Sequence, residues 1–211
     1  MDDGIAGGID TVQDQGELRS RYPEPSGLVQ SKILTRIDQH ARAFIGLSPF
    51  LVIATAGTDG SADASPRGDA PGFVTVADET TLLIPDRRGN NLCDSLSNVI
   101  ENPKVGLVFF VPGINETLRI NGGAIITTDP AVLMPMAVDG KTPTSALRVT
   151  VEQSYFHCGK ALIRSRLWDP AVQIERKSFP TLGKILSDQI KGVETADADA
   201  RLDNSYRNHL Y

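Results

Sequence analysis

The sequence is poor in the residues that form metal centres and disulfide frameworks. Its 211 residues include two cysteines, Cys93 and Cys158, and three histidines. Two cysteines do not make a disulfide framework, and the adjacent pair His157-Cys158 offers too few ligands for zinc. We therefore predict no metal site, and we assign His157 and Cys158 a partly buried structural role rather than a metal or thiol role.

The sequence also lacks a positive net charge and a long apolar run. Its 21 lysines and arginines are outnumbered by 26 acidic residues, so the net charge is −5 and the pI is near 5.2. Such a chain has no overall field that attracts nucleic acid or an anionic membrane, so any anion site must be local. No run approaches the roughly 20 apolar residues of a membrane-spanning helix, and residues 1–8 do not resemble a signal peptide. We predict a cytoplasmic protein with no membrane or nucleic-acid partner.

The common catalytic and nucleotide-binding motifs are absent as well. No Gly-x-Gly-x-x-Gly opens a helix, no Gly-x-x-x-x-Gly-Lys-Ser/Thr occurs, and no Gly-x-Ser-x-Gly or Ser/His/Asp arrangement stands out. His157 is the nearest candidate for an acid or base, but a histidine of this kind is more often simply packed. The catalytic residues therefore stay unassigned.

What the sequence does contain is a series of short strand-like segments. A chain of this length builds one substantial core. We divide it into an arm at residues 1–28, a domain at residues 29–192 and a polar tail, also an arm, at residues 193–211. Helical spacing is expected at residues 29–45, 92–100, 159–166 and 182–190. Strands are expected at residues 50–55, 61–65, 73–76, 81–84, 105–111, 117–126, with a bulge at Gly122-Gly123, and 147–151. Six or seven antiparallel strands with flanking helices predict a mainly β, α+β domain that is barrel-like.

The most informative stretch lies between one of these strands and the helix that follows it. The strand at residues 81–84 leads into the polar loop Pro85-Asp86-Arg87-Arg88-Gly89-Asn90-Asn91, and Asn102-Pro103 ends the helix. Asn90, Asn91 or Asp94 can cap the start of that helix. Guanidinium groups beside a helix N-terminus form a place for a phosphate, although arginines in an exposed loop can equally serve solubility alone. Together with Arg67, Arg119, Lys160, Arg164 and Arg166, which also lie near segment ends, they favour a phosphorylated ligand.

The order of these pieces resembles the pyridoxamine 5'-phosphate oxidase-like family of FMN-binding split barrels. It is most similar to a bacterial subgroup described only as FMN-dependent flavoproteins of unknown substrate. The resemblance covers about residues 30–190 and is carried by Ser65-Pro66-Arg67-Gly68 and by residues 83–91 (LIPDRRGNN), 101–107 (ENPKVGL), 117–122 (TLRING), 157–161 (HCGKA) and 164–169 (RSRLWD).

The resemblance implies a six-stranded antiparallel Greek-key split β-barrel that forms a homodimer, with FMN in clefts between the subunits. Arg67 and Gly68 fall where the family contacts the flavin and its ribityl chain, and Pro85 and Asp86 fall beside the isoalloxazine ring. Around the phosphate fall Arg87, Arg88, Asn90 and Asn91. Thr117 takes the place of a polar residue from the partner subunit, and Lys160, Arg164 and Trp168 are further contributors.

The C-terminus departs from the pattern of the true oxidases. Those enzymes end in Arg-Leu-x-Pro with an upstream Arg-x-His, whereas this sequence ends in residues 201–211, RLDNSYRNHLY. The departure argues against a vitamin B6 substrate. We expect an FMN-dependent oxidoreductase that acts on a small molecule. The alternatives are a non-catalytic protein that binds, stores or senses a flavin, a deazaflavin or haem, and a structural α+β domain with an anion-binding loop.

Overall fold

The computed structural model describes residues 10–211, and the part of the predicted N-terminal arm before residue 10 lies outside them. The chain divides into two compact units, Met1–Ile33 and Leu34–Tyr211. The first unit contains helices α1 (Gln15–Arg21) and α2 (Gly27–Ser31), although its sequence shows no sustained helical period. The predicted boundaries between arm, domain and tail stay a prediction.

The single helix predicted at residues 29–45 does not form. Helix α2 ends at Ser31, and α3 (Gln39–Leu47) begins only after Asp38, whose carboxylate accepts a hydrogen bond from the Ala41 N–H at 2.8 Å. Between the two helices, Leu34 pairs with Ser154 in an antiparallel bridge. The apolar spacing continues through this segment, but pairing with a strand replaces the helix there.

The second unit is built on one antiparallel sheet of seven strands. They are β1 (Phe50–Ala56), β2 (Ala62–Gly68), β3 (Thr75–Val76), β4 (Thr81–Asp86), β5 (Lys104–Phe110), β6 (Thr117–Thr127) and β7 (Ser145–His157). Their order across the sheet is β2-β1-β5-β6-β7-β4-β3. The antiparallel sheet with flanking helices is confirmed. Among the described residues, however, the sheet has seven strands and stays open at its edges, where the resemblance implied a six-stranded barrel.

The predicted bulge at the Gly-Gly pair is confirmed. The register between β6 and β7 shifts between Asn121 and Gly122. A Cβ atom on Gly122 would lie 2.0 Å from the carbonyl oxygen of Thr150, so only glycine allows β7 to approach this closely. The bulge lets two long strands bend without losing their pairing.

The core lies on the inner face of the sheet, beneath α3 and α4 (Asp94–Glu101). Strand β5 lies between β1 and β6, as its apolar sequence predicted. Every second residue of β5 points inward, because successive side chains of a strand alternate between faces. The largest fully buried side chains are Phe109, Ile45, Leu51, Ile53, Leu82, Ile84, Leu107, Leu118, Ile120, Leu147 and Val149.

Helices precede and follow β7. A short helix, α5 (Pro130–Leu133), precedes β7, and α6 (Lys160–Ser165) and α7 (Leu182–Gln189) lie within the predicted helical segments. Residues 193–211 were expected to be an arm, but Thr195–Asn208 form helix α8. The carboxylate of Asp199 on α8 accepts hydrogen bonds from the Gly183 N–H and the Thr181 hydroxyl at the start of α7, which fixes the two helices together.

The predicted burial of His157 and Cys158 is wrong. Both residues are exposed at the end of β7, just before α6 begins. No helix within residues 10–211 is both long and apolar enough to cross a membrane.

Candidate functional site

Helix α4 is held against the β1–β2 hairpin by one face of polar side chains. Three residues of this face, spaced i, i+3 and i+7, each hydrogen-bond to the hairpin at 3.0 or 3.1 Å. The pairs are Ser95 with the Asp63 carboxylate, Asn98 with the Thr55 hydroxyl, and Asn102 with the Ala56 carbonyl. These bonds fix where α4 begins relative to β2, so they determine the geometry of the preceding loop.

The start of α4 has no side-chain cap. Its N-cap residue is Cys93, in the left-handed region with φ of 61°, and no side chain within residues 10–211 caps its first turn. The prediction that Asn90, Asn91 or Asp94 caps this helix is therefore wrong. Asn90 instead accepts from the Leu92 N–H at 3.0 Å, and Asn91 also has a positive φ, of 60°. The folded loop leaves the first amides of α4 without a side-chain partner, as an anion site requires.

Two adjoining cavities of about 180 and 460 Å³ flank the loop between β4 and α4. They share six lining residues, among them Asp86, Arg87 and Gly89. The smaller cavity extends along β2 as far as Asp63, and the larger one extends to residues 141–145 and Tyr211. Gly89 has open space where a side chain would be, so the loop leaves room for a ligand there.

The two cavities differ in charge. The smaller one is lined by three carboxylates, Asp63, Asp86 and Asp94, against the guanidinium groups of Arg67 and Arg87. The larger one is lined by Asp86 against three cations, Arg87, Arg88 and Lys141. Asp69 neutralises Arg87, which leaves Arg88 and Lys141 against Asp86 in the larger cavity. Coulombic attraction therefore favours an anionic group there.

Asp86 lies at the boundary between the two cavities. Burial raises the pKa of its carboxyl group above the ordinary value, and the positive charge of Arg67 opposes this shift only in part. A half-buried carboxyl group with a raised pKa is a recognised feature of functional sites. Pro85, the residue before it, is buried at the end of β4, opposite Ala146 of β7.

Arg87 is engaged by the protein itself. Its Nε donates to Asp69 Oδ2 at 2.6 Å, its Nη1 donates to the Met136 carbonyl at 2.8 Å, and its guanidinium lies 5.5 Å from the centre of the Tyr211 ring. The side chains of Arg87 and Asp69 are only 17% and 2% exposed. Burial by itself would raise the pKa of the Asp69 carboxyl group. Hydrogen bonds from Tyr211, the Ala70 N–H and Arg87 outweigh burial, so the pKa lies below its ordinary value.

Arg88 and Arg67 are available to a ligand. Arg88 is exposed and makes no hydrogen bond or ion pair within residues 10–211. Arg67 is half-buried and its charge acts on Asp86. Gly68 ends β2 opposite Phe50, whose ring would lie 3.3 Å from a Cβ atom at that position. Asn90 and Asn91 are exposed at the cavity walls.

The remaining predicted site residues lie elsewhere. Thr117 is buried at the start of β6 and pairs with His157, whereas Asp86 pairs with Ser145 at the other end of β7. Those ends are twelve positions apart, about 40 Å along an extended strand. Lys160, Arg164 and Trp168 follow β7 at the same end as Thr117, where the Trp168 indole donates to the Ile114 carbonyl at 2.8 Å. None of these four residues lines either cavity.

Comparison with protein families identifies the chain. The model of the pyridoxamine 5'-phosphate oxidase family matches residues 37–158, more than half of the sequence. The chain belongs to this family. The match includes every strand from β1 to β7 and the whole β4–α4 loop. Apart from Tyr211, every residue that lines the two cavities therefore lies in the matched part of the chain. The family resemblance seen in the sequence is thereby confirmed.

Three solved structures show the similarity in space. HupZ from Group A Streptococcus is 18% identical, with a TM-score of 0.48, and the match covers 57% of this chain and 93% of HupZ. An FMN-binding protein from Syntrophomonas wolfei has a TM-score of 0.44 at 9% identity, covering 56% and 84%. General stress protein 26 from Bacillus anthracis has a TM-score of 0.41 at 13% identity, covering 56% and 94%. No curated protein matches the sequence.

Several residues of the site could not be found in the sequence. Lys141 and Tyr211 line the larger cavity, and Asp69 and Tyr211 hold Arg87. These three residues lie on three separate segments of the chain. Their only local signal is Asp69 next to the Arg67-Gly68 motif. The polar face of α4 does have a sequence signal, because Ser95, Asn98 and Asn102 recur at helical spacing, but such a face is usually exposed to solvent.

Proposed function

We propose that this protein binds FMN and uses it as an oxidoreductase acting on a small molecule. The observation that carries the proposal is the 460 Å³ cavity, in which Arg88, Lys141 and Cys93, the N-cap of α4, lie beside the loop typical of the family. Membership of the pyridoxamine 5'-phosphate oxidase family supports a flavin as the ligand. FMN rather than a deazaflavin or haem is favoured because this charge pattern suits a phosphate monoester.

The residues at the loop fit the phosphate end of FMN. Arg88, with no partner among the described residues, would supply a guanidinium fork, and the side-chain amide of Asn91, which lines the same cavity, would supply further donors. Asn90 lines the smaller cavity, beside this one. Arg87 would contribute fewer donors, because its Nε and Nη1 already donate within the protein. The three carboxylates of the smaller cavity make that cavity the less suitable place for the phosphate.

The flavin ring would lie toward Arg67, Gly68, Pro85 and Asp86. Bound FMN would supply the redox chemistry, while the protein supplies orientation and electrostatics. The positive charge of Arg67 would stabilise negative charge on a reduced ring. Asp86, half-buried with a raised pKa, is the group nearest to an acid or base that this cleft contains.

The second part of the proposed site would come from a partner subunit. Four predicted site residues lie near the His157 end of β7, far along the sheet from the β4–α4 loop of their own chain: Thr117, Lys160, Arg164 and Trp168. In a homodimer they would meet the loop of the other subunit. The six long strands of each subunit would then form the family's split barrel, and the two-residue strand β3 would be an addition to it. The cytoplasmic location stays a prediction.

The first experiment tests for the cofactor. We expect the purified protein to be yellow and to take up added FMN, with quenching of flavin fluorescence. A colourless protein that fails to take up FMN contradicts the proposal. A second measurement separates an oxidoreductase from a protein that only stores or senses a flavin. In an oxidoreductase, NADH or NADPH reduces the bound flavin, or the flavin oxidises a small molecule and is itself reduced.

A mixing experiment tests the shared site. One variant carries Arg88→Ala and the other carries Trp168→Ala. Each alone should bind FMN weakly. After unfolding and refolding together, half of the dimers should be mixed, and each mixed dimer should hold one intact site, so about a quarter of the sites should recover. No recovery, with both variants dimeric, contradicts the assignment of Trp168 to the partner's site.

A further inference from the structure

Arg87 is fixed by a partly buried network that reaches Tyr211. The Tyr211 hydroxyl donates to Asp69 Oδ1 at 2.7 Å, and Arg87 Nε donates to Oδ2 of the same carboxylate at 2.6 Å. The Ala70 N–H also donates to Oδ1, at 2.7 Å. Both oxygens of this almost fully buried carboxylate are therefore satisfied, and one of its partners is an aromatic hydroxyl from 142 positions away in the chain.

Tyr211 is held in place by contacts at both its side chain and its backbone. Besides the hydrogen bond to Asp69, its ring lies 5.5 Å from the Arg87 guanidinium carbon, within cation–π range. Its backbone oxygen accepts from Lys141 Nζ at 3.2 Å. Lys141, Arg87 and Tyr211 all line the 460 Å³ cavity, so the network forms part of its wall.

The network leaves one nitrogen of Arg87 uncommitted. Nε and Nη1 donate to Asp69 and Met136, whereas Nη2 makes no hydrogen bond within residues 10–211. A guanidinium is planar, so fixing two of its nitrogens also fixes the direction of the third. An arginine immobilised in this way loses little conformational entropy when an anion binds to it.

We propose that Tyr211 and Asp69 are positioning residues, which orient Arg87 so that its free Nη2 donates to an anionic group of the ligand in the 460 Å³ cavity. The assignment rests on the proposed function for the nature of the ligand, which is the phosphate of FMN. Tyr211 itself binds no ligand atom in this assignment. Its hydroxyl acts through Asp69 and its ring acts on the guanidinium face.

The test compares Tyr211→Phe with wild-type protein. This substitution keeps the ring and removes only the hydroxyl, so the protein is expected to fold, which urea unfolding checks. The matched control is Tyr22→Phe, which removes a hydroxyl from a tyrosine that is 62% exposed in the other unit. Dissociation constants are measured for FMN and for riboflavin, which lacks the phosphate, by quenching of flavin fluorescence.

We expect Tyr211→Phe to weaken FMN binding about tenfold, the size expected for a hydrogen bond that orients a charged group, and to change riboflavin binding less than about twofold. Tyr22→Phe should change neither. A merely structural role would weaken FMN and riboflavin in the same proportion. That result, or an unchanged affinity for FMN, overturns the positioning role.

A second probe separates this inference from the proposed function. If wild-type protein binds no flavin, the proposed function fails, and inorganic pyrophosphate then tests the cavity alone. We expect pyrophosphate to raise the thermal unfolding midpoint of wild-type protein, and to raise that of Tyr211→Phe by less than half as much. An equal rise in both proteins, or no rise in either, overturns the inference.

Discussion

The base and the tip of the β4–α4 loop place two neighbouring arginines in opposite surroundings. At the base, Arg87 is largely buried and bound to Asp69, Met136 and Tyr211. At the tip, Arg88 is exposed and has no partner among the described residues. A buried, paired charge contributes mainly to stability and order, whereas an exposed, unpaired one is available to a ligand. Two identical residues, adjacent in sequence, therefore differ in what they give the loop: Arg87 holds its base in place, and Arg88 leaves a guanidinium exposed at its tip.

The largest difference should appear in stability. Arg87→Ala should lower the free energy of unfolding by about 3–5 kcal/mol, because it leaves the buried Asp69 carboxylate without its counter-ion. Arg88→Ala removes the same side chain from an exposed position and should change stability by less than about 0.5 kcal/mol. Urea unfolding of both variants measures the difference. Equal losses would mean that the base of the loop is not more ordered than its tip.

Arg88, whose removal should hardly change stability, should have a large effect on FMN affinity. Arg88→Ala should weaken FMN binding by about 10- to 100-fold, the range for hydrogen bonds to a charged group, and should leave riboflavin binding unchanged. Fluorescence titration measures both constants. The control is Arg207→Ala, an arginine on α8 whose side chain is 78% exposed. If both flavins lose affinity equally, Arg88 does not contact the phosphate.

A smaller effect should follow from loosening α4. Ser95→Ala removes the hydrogen bond from a buried hydroxyl to Asp63 and should lower the free energy of unfolding by about 1 kcal/mol. Ser97→Ala, on the exposed side of the same helix, should have almost no effect. Chemical unfolding of the two variants decides whether the polar face of α4 holds the loop. A loss from Ser97→Ala as large as that from Ser95→Ala would contradict this role of the polar face, because alanine forms helix more readily than serine.

The smallest effect should come from Asp86 and should depend on pH. Burial raises the pKa of this carboxyl group in the folded protein, so the folded state holds the proton more tightly than the unfolded state does. Stability is therefore lost as pH rises from the ordinary value of about 3.9 through the raised folded value. Asp86→Asn should be more stable than wild-type protein at pH 7 and equally stable at acid pH. Thermal midpoints across this pH range test the prediction, and parallel curves would contradict it.

The sequence predicted those elements whose signal is local. Alternating apolar residues identified the strands, and the glycine pair identified the bulge, because both depend on neighbouring residues. The helix expected at residues 29–45 was wrong, since pairing of Leu34 with Ser154 competes with helix formation over a distance that a local pattern does not record. The tail was also misread, because the polar sequence of α8 gives no hint of its attachment to α7 through Asp199.

The sequence by itself determined the family, the polar loop between a strand and a helix, and the types of residue placed there. Only the tertiary structure decided that Arg87 is held while Arg88 is free, and that Thr117 and Trp168 lie at the far end of β7 from Asp86. The physical reason is that burial and pairing are properties of contacts between distant segments. Asp69 and Tyr211 meet across 142 positions, and no local period of the chain encodes that distance.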